Sequence, residues 1–181
     1  MKYCGNCGAP VSIRVPAHDE RARYVCDACD TIHYVNPKIV AGCIPEYDGK
    51  ILFCRRAIEP RYGLWTLPAG FMEMGESTVE AAVRETWEEA RARVGVRSLF
   101  GLFSIPHISQ VYILFRAALL DNEYSPGPES LELALFGEEE IPWSELAFPV
   151  IRRTMECYLA DKRDGGFQVH FEDIRDRLRK K

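Results

Sequence analysis

Apolar residues fall into two periodicities along this chain, and the switch between them outlines the fold. Lys38 to Pro45 and Lys50 to Arg56 are short apolar runs, separated by Glu46, Tyr47, Asp48 and Gly49, which together read as a β-hairpin. Arg97 to Ile105, Gln110 to Leu120 and Ser130 to Phe136 read as further strands. Two segments switch to helical spacing. Glu76, Ser77 and Thr78 open the first, with Glu80 three residues beyond Ser77 as a capping-box partner. At about 100° per residue, Val79, Val83, Thr86 and Ala90 occupy a stripe about 60° wide, the expected core face. The second helix runs from Phe148 to Asp161, and Gly165 and Gly166 break it before a polar tail, 165–181.

Composition narrows what such a fold is for. With 181 residues, 47% hydrophobic and 28% charged, the chain reads as a folded protein with one main domain and at most a small appendage. Its 23 basic and 27 acidic side chains leave a net charge of -4. That balance weighs against a nucleic-acid partner held by bulk electrostatics, which needs surplus Lys and Arg. A phosphate-bearing small molecule stays open, because a metal ion can supply positive charge. No stretch approaches the roughly 20 apolar residues of a membrane helix, and the opening MKYCGNCGAP has no apolar run of the signal-peptide type. A cytoplasmic protein without a membrane partner is expected.

Seven cysteines in such a setting point to a metal or to inert thiols. Cys4 and Cys7 form one Cys-x2-Cys pair, Cys26 and Cys29 a second, with eighteen residues between the pairs. Four thiolates on two tight turns suit tetrahedral Zn2+, so residues 1–36 are expected to form a zinc ribbon. A redox dithiol needs only one such pair. The module is too short for a core of its own, so the metal would be structural. A nucleic-acid-binding ribbon has some support in Lys2, Arg14, Arg21 and Arg23, nearly cancelled by Asp19, Glu20, Asp27 and Asp30. His18 and His33 are spare candidate ligands, while Cys43, Cys54 and Cys157 sit singly in apolar segments as small buried side chains.

The first helix carries the chemistry. Glu85, Glu88 and Glu89 cluster on one patch, centred about 130° from the apolar stripe. Like charges at those spacings cost about 0.2 to 0.5 kcal/mol per pair, so something should offset them. A solvated acidic face is the plainer reading; a hard divalent ion shared with substrate phosphates is the sharper one.

The stretch from Leu67 to Val94 resembles the Nudix box, G-x5-E-x7-R-E-U-x-E-E-x-G-U, with Gly70, Glu76, Arg84, Glu85, Glu88 and Glu89 in register. Thr86 departs from the usual aliphatic position, and Arg91 stands where the family has glycine. The resemblance runs from about Asn36 to Asp161 and implies a mixed-sheet α/β/α sandwich over residues 37–164. It also implies a pyrophosphohydrolase that cleaves nucleoside diphosphates linked to another group, using Mg2+ or Mn2+. Carried over, it makes Glu85, Glu88 and Glu89 metal ligands, with the Gly70 carbonyl as a further one. Arg84 would orient a carboxylate of the helix, and Glu76 would support the loop. The segment SPGPESLELALF resembles the family's second acidic segment, which makes Glu129 the first choice for a further ligand or base and Glu132 the second. Arginine at position 91 is expected to let the helix run through Ala92 and stop near Gly95.

The ribbon, GLWTLPAG before the box and PGPESLE after it resemble the branch that acts on FAD and ADP-ribose. The NADH pyrophosphatase and NAD-decapping branch also has a ribbon, but it carries an SQPWPFP-like segment where this chain reads SIPHISQVYILF. A third reading is a Nudix-like domain that senses a nucleotide without hydrolysing it. Tyr47, Trp65, Phe71 and Tyr112 are candidate adenine or flavin contacts, with core packing as the alternative for Trp65 and Phe71. Arg55, Arg56 and Arg61 are candidate phosphate partners. A homodimer is the assembly the family commonly adopts.

Overall fold

The computed structural model describes residues 1–175. It forms two compact units, the first Met1–Pro37 and the second beginning at Lys38, one residue beyond the boundary expected from the sequence.

The first unit is an antiparallel sheet of β1 (Val11–Arg14), β2 (Arg23–Cys26) and β3 (Ile32–His33), in that order. Its buried apolar side chains are Cys4, Val25 and Cys26. Three side chains, two of them cysteines, do not make a core that folds a unit of this size unaided.

In the second unit, β4 (Lys38–Tyr47) and β5 (Lys50–Arg56) form the hairpin. Tyr47 pairs with Lys50, so the turn is two residues, Asp48 and Gly49, with φ of 46° and 76°. The sequence reading assigned four residues to this turn. A tight Asp-Gly turn with both residues at positive φ matches the twist of the strands it joins, so pairing continues through Tyr47. The chain continues through β6 (Trp65–Thr66), β7 (Ala69–Phe71), α1 (Thr78–Ala90), β8 (Val94–Ile105), β9 (Gln110–Leu119), β10 (Ser130–Phe136), α2 (Pro149–Asp164) and β11 (His170–Asp173).

The sheet order is β10-β5-β4-β9-β8-β11, with β6 added on β5 and β7 on β4. It is mixed, because β4 runs parallel to β9 and β8 parallel to β11 while the other pairs are antiparallel. Alternation along each strand covers both faces. Ala41, Cys43, Leu52, Cys54, Phe115 and Ala117 face α1, packing on Ala81, Ala82 and Ala90. Ile44, Ile51, Phe53, Phe100, Phe103 and Leu114 face the opposite way, onto Val150, Ile151 and Met155 of α2. This is the expected α/β/α sandwich. Cys43, Cys54 and Cys157 are buried as expected.

Three further expectations need correction. Val79 is 40% exposed and Val83 only half-buried; α1 buries the expected Thr86 and Ala90 together with Ala81, Ala82 and Glu89. The buried face is rotated toward Ala82 and Glu89, where Cys43 of β4 and Ala69 of β7 make their contacts with the helix. Secondly, α1 ends at Ala90 rather than near Gly95, with Arg91 as the cap at φ 50°, ψ 24°, its N–H donating to the Trp87 carbonyl. Val94 already pairs with Leu119 as the first residue of β8, which leaves the helix no room to continue. Thirdly, the chain after Gly165 is no mere tail: His170–Asp173 completes the sheet beside β8. Its inward residues are polar, His170 and Glu172, and hold by pairing with Asp161 and Arg153, so no apolar alternation announced them. The rest of the predicted tail, 176–181, lies outside the described residues. Among the described residues no helix is long and apolar enough to cross a membrane.

Candidate functional site

The N-cap of α1 is Ser77, whose hydroxyl accepts from the Glu80 amide while the Glu80 carboxylate accepts from the Ser77 amide. This capping box fixes where the helix starts and so where each carboxylate emerges. Thr86, at the position expected to be aliphatic, is fully buried and donates its hydroxyl to the Ala82 carbonyl at 2.8 Å, which satisfies it inside the core.

Arg84 gathers the acidic side chains. It bonds Glu76 through two nitrogens at 3.0 and 2.7 Å, Glu85 at 2.7 Å, Glu88 at 3.1 Å and the Phe71 carbonyl at 3.1 Å. Glu76 in turn accepts from the Glu73 amide, which ties the loop before the helix to the same guanidinium.

Glu85 lies against Gly70. A Cβ on Gly70 would lie 2.2 Å from Glu85 Oε2, so only glycine lets β7 and this carboxylate approach. Glu89 is 7% exposed and accepts from the Ala69 amide at 3.3 Å. Burial, then the neighbouring Glu85 charge, pushes Glu89 up to about 8. Burial also raises Glu85, outweighing the Arg84 guanidinium that pulls the other way. Glu88 remains exposed.

The loop after β9 contributes what the helix alone lacks. The Gly127 amide donates to the Glu89 carbonyl at 2.9 Å and the Ser125 amide to the Ala90 carbonyl at 3.0 Å, capping the end of α1. A Cβ on Gly127 would lie 1.8 Å from the Glu88 carbonyl oxygen. Sequence reasoning missed this glycine, although the SPGPE segment held the signal. The docked loop brings Glu129 close enough for its charge to raise both Glu85 and Glu89. Glu132 faces away and pairs with Arg55 at 3.2 Å.

The other candidates separate. Arg55 is engaged by the Gly63 carbonyl and Glu132, whereas Arg56 lies where its charge acts on Glu89 while its guanidinium stacks on Phe148. Trp65, expected at the substrate, is 6% exposed and packs edge-on against Phe136. It belongs to the core on the α2 side, because β6 turns it inward beside β5. Tyr112 is likewise buried, Tyr47 is half-buried against the α1-side core, and Phe71 is exposed beneath the Lys38 ammonium. Arg61 stands at φ 72° in the turn between β5 and β6.

The donor atoms of Glu85, Glu88, Glu89, Glu129 and the Gly70 carbonyl are all oxygen, and burial first, then neighbouring carboxylates, raises Glu85 and Glu89. Such a set, in a cradle that a Cβ would fill, fits a hard divalent cation.

In the first unit, the Sγ atoms of Cys4, Cys7, Cys26 and Cys29 all lie within 4.8 Å of one another, with Cys4 to Cys29 at 3.8 Å and Cys7 to Cys26 at 3.4 Å. Tetrahedral zinc with bonds of about 2.3 Å sets its sulfurs about 3.8 Å apart. The Asn6 amide points at Cys4 Sγ, and the amides of Ala28 and Cys29 point at Cys26 Sγ, each at 3.4 Å, as thiolates require. His33 Nε2 is 3.2 Å from Cys4 Sγ, placing the ring outside a four-sulfur shell as its hydrogen-bond partner.

A mixed sheet between two helices, with an acidic helix facing a glycine-bearing strand, is an arrangement that metal-assisted hydrolysis of phosphate anhydrides can use. Residues 36–156 match the NUDIX domain model and residues 2–35 the Nudix N-terminal zinc-ribbon model. The chain belongs to the Nudix hydrolases, in the group that carries this ribbon. The chain is similar to an ADP-ribose pyrophosphatase from Methanocaldococcus jannaschii, 35% identical over 64% of this chain and 69% of that protein. The NAD-capped RNA hydrolase NudC from Stutzerimonas stutzeri is 29% identical over 88% of this chain, and the match spans 56% of the relative's length. A crystal structure of a NUDIX hydrolase from Nitrosomonas europaea superposes with a TM-score of 0.94 at 53% identity, over 97% of this chain and all of that one.

Proposed function

We propose that this chain hydrolyses the diphosphate bridge of FAD or ADP-ribose, giving AMP plus FMN or AMP plus ribose 5-phosphate. The observation that carries this reading is the Glu85 carboxylate seated on Gly70 beside the buried Glu89, an oxygen cradle in which burial, and then the Glu85 charge, raises Glu89. Mg2+ or Mn2+ held there supplies Lewis-acid charge for the diphosphate and for the attacking water. Arg84 keeps Glu85 and Glu88 pointed at the cradle, and Glu76 keeps Arg84 in place. Glu129, carried in on the Gly127 loop, stands as the base that takes the proton of the water. Arg56, whose charge reaches Glu89 and whose Nε donates to the Pro60 carbonyl, receives the phosphate through its other nitrogens, whereas Arg55 is paired with the Glu132 carboxylate. The similarity to an ADP-ribose pyrophosphatase supports the substrate class.

A second reading, cleavage of NADH or of NAD-capped RNA, is favoured by the longer span of the NudC match, which covers 88% of the chain against 64% for the ADP-ribose relative. The test is to incubate the protein with FAD, ADP-ribose, NADH, NAD-capped RNA and nucleoside triphosphates, with Mg2+ or Mn2+, and to identify the products by chromatography. AMP from FAD or ADP-ribose is expected to appear fastest. Faster release of nicotinamide mononucleotide from NADH, or decapping, makes the second reading correct. Glu88→Gln and Glu89→Gln should each lower turnover by orders of magnitude with the fold intact. Near-normal turnover in both would reduce the patch to a solvated surface.

A further inference from the structure

Away from the acidic helix, α2 and β11 assemble another set of metal-ligating side chains. Residues two apart on a strand point the same way, so His170 and Glu172 face α2 together, opposite Cys157. Cys157 Sγ, a ring nitrogen of His170 and a carboxylate oxygen of Glu172 all lie within 4.8 Å of one another. Among the described residues, the only other group of three or more ligating side chains this compact is the four cysteines.

The surroundings complete the arrangement. His170 Nε2 is 2.9 Å from Asp161 Oδ2, and that side chain is 5% exposed. A carboxylate only accepts, so in the neutral ring Nε2 carries the proton and Nδ1 keeps the lone pair. A carboxylate behind the imidazole is the support that orients metal-bound histidines. Arg153 bonds both oxygens of Glu172, at 2.7 and 2.6 Å, leaving further lone pairs on that carboxylate. Thiolate, Asp161 and Glu172 carry three negatives, and the one guanidinium among them, Arg153, is shared with Glu156 at 3.6 Å, so a divalent ion offsets charge that the protein leaves uncompensated. Of the three, Glu172 reaches the surface, lining with Arg153 a cavity of about 410 Å³, while Cys157 is buried. Nothing in the diphosphate hydrolysis uses these residues.

We infer that Cys157, His170 and Glu172 form a second zinc site that staples β11 to α2, with Asp161 orienting His170 and Arg153 balancing Glu172. Sulfur, imidazole and carboxylate together select a borderline ion such as zinc over Mg2+, and three protein ligands leave the fourth position to water.

The full-length chain, equilibrated with zinc in the presence of excess Mg2+ and then dialysed, should hold two zinc ions by elemental analysis. Cys157→Ala and His170→Gln should each hold one. Added zinc should raise the unfolding temperature of the wild type by more than that of either variant, both of which keep the four-cysteine site. One zinc in the wild type overturns the site without recourse to any variant, and so do two zincs in both variants. Hydrolytic activity does not enter the measurement, so the proposed reaction and this site stand or fall separately.

Discussion

Gly70 has no side chain, and the Glu85 carboxylate fills that space. In Gly70→Ala the methyl group would stand 2.2 Å from Oε2, and Glu85 would have to leave the cradle. Turnover should then fall by orders of magnitude, as for loss of the carboxylate itself, while overpacking costs about 1 to 3 kcal/mol of stability. Unchanged kcat in this variant would show that the seat of Glu85 is not used. The same cluster predicts an acid sensitivity. Side-chain bonds from Arg84, and then the Glu73 amide, pull Glu76 from its usual 4.5 down to about 2. A carboxylate lowered in the folded state contributes stability that is complete above the unfolded value and lost as pH falls through the folded one. Stability should therefore decline between about pH 4.5 and 2 in the wild type. Glu76→Gln should flatten that part of a pH series of unfolding midpoints, and an unchanged slope would contradict the pairing.

At the scale of elements, the end of α1 is the informative case. Arg91 sits at φ 50°, a conformation that costs a non-glycine residue about 1 kcal/mol or more. Arg91→Gly should stabilise the protein by about 0.5 kcal/mol, since part of the relief is offset by the freer unfolded chain and by the lost stacking on Trp87. A rise in unfolding temperature checks this; a fall would mean that the Trp87 contact outweighs the strain. Local pattern alone could not place this helix end, because it is set by the pairing of Val94 with Leu119, twenty-five residues away. Where local chemistry decides, the sequence was readable: Ser77 and Glu80 announced the start of α1, and Ser130 to Phe136 emerged as a strand with the expected ends. β6 and β7 are two and three residues long and exist only as partners of β5 and β4, so no periodicity marks them. Site residues divide in the same way. Helical spacing alone brought Glu85, Glu88 and Glu89 together, whereas the approach of Glu129 depends on how the Gly127 loop docks, and the burial of Trp65 on its packing against Phe136.

For the whole molecule, the two units differ in what holds them. The unit from Lys38 onward has apolar clusters on both faces of its sheet, enough to fold without a metal. The unit Met1–Pro37 buries Cys4, Val25 and Cys26, so the binding energy of a zinc ion on its four cysteines would be most of its folding energy. Stripping the metal with a chelator, or replacing Cys26 with Ser, should therefore unfold the first unit and leave the core of the second folded. Limited proteolysis followed by mass spectrometry reads this directly. Cuts should appear within the first 37 residues only after zinc is removed, leaving a protected fragment that begins near Lys38. The β4–β9 pairing that opens the second unit starts at Lys38 with Gln110, which sets the point where protection should begin. Digestion of the whole chain on chelation would mean that the second unit depends on the first for its stability. Resistance of the first unit would mean that four clustered thiols are not what folds it.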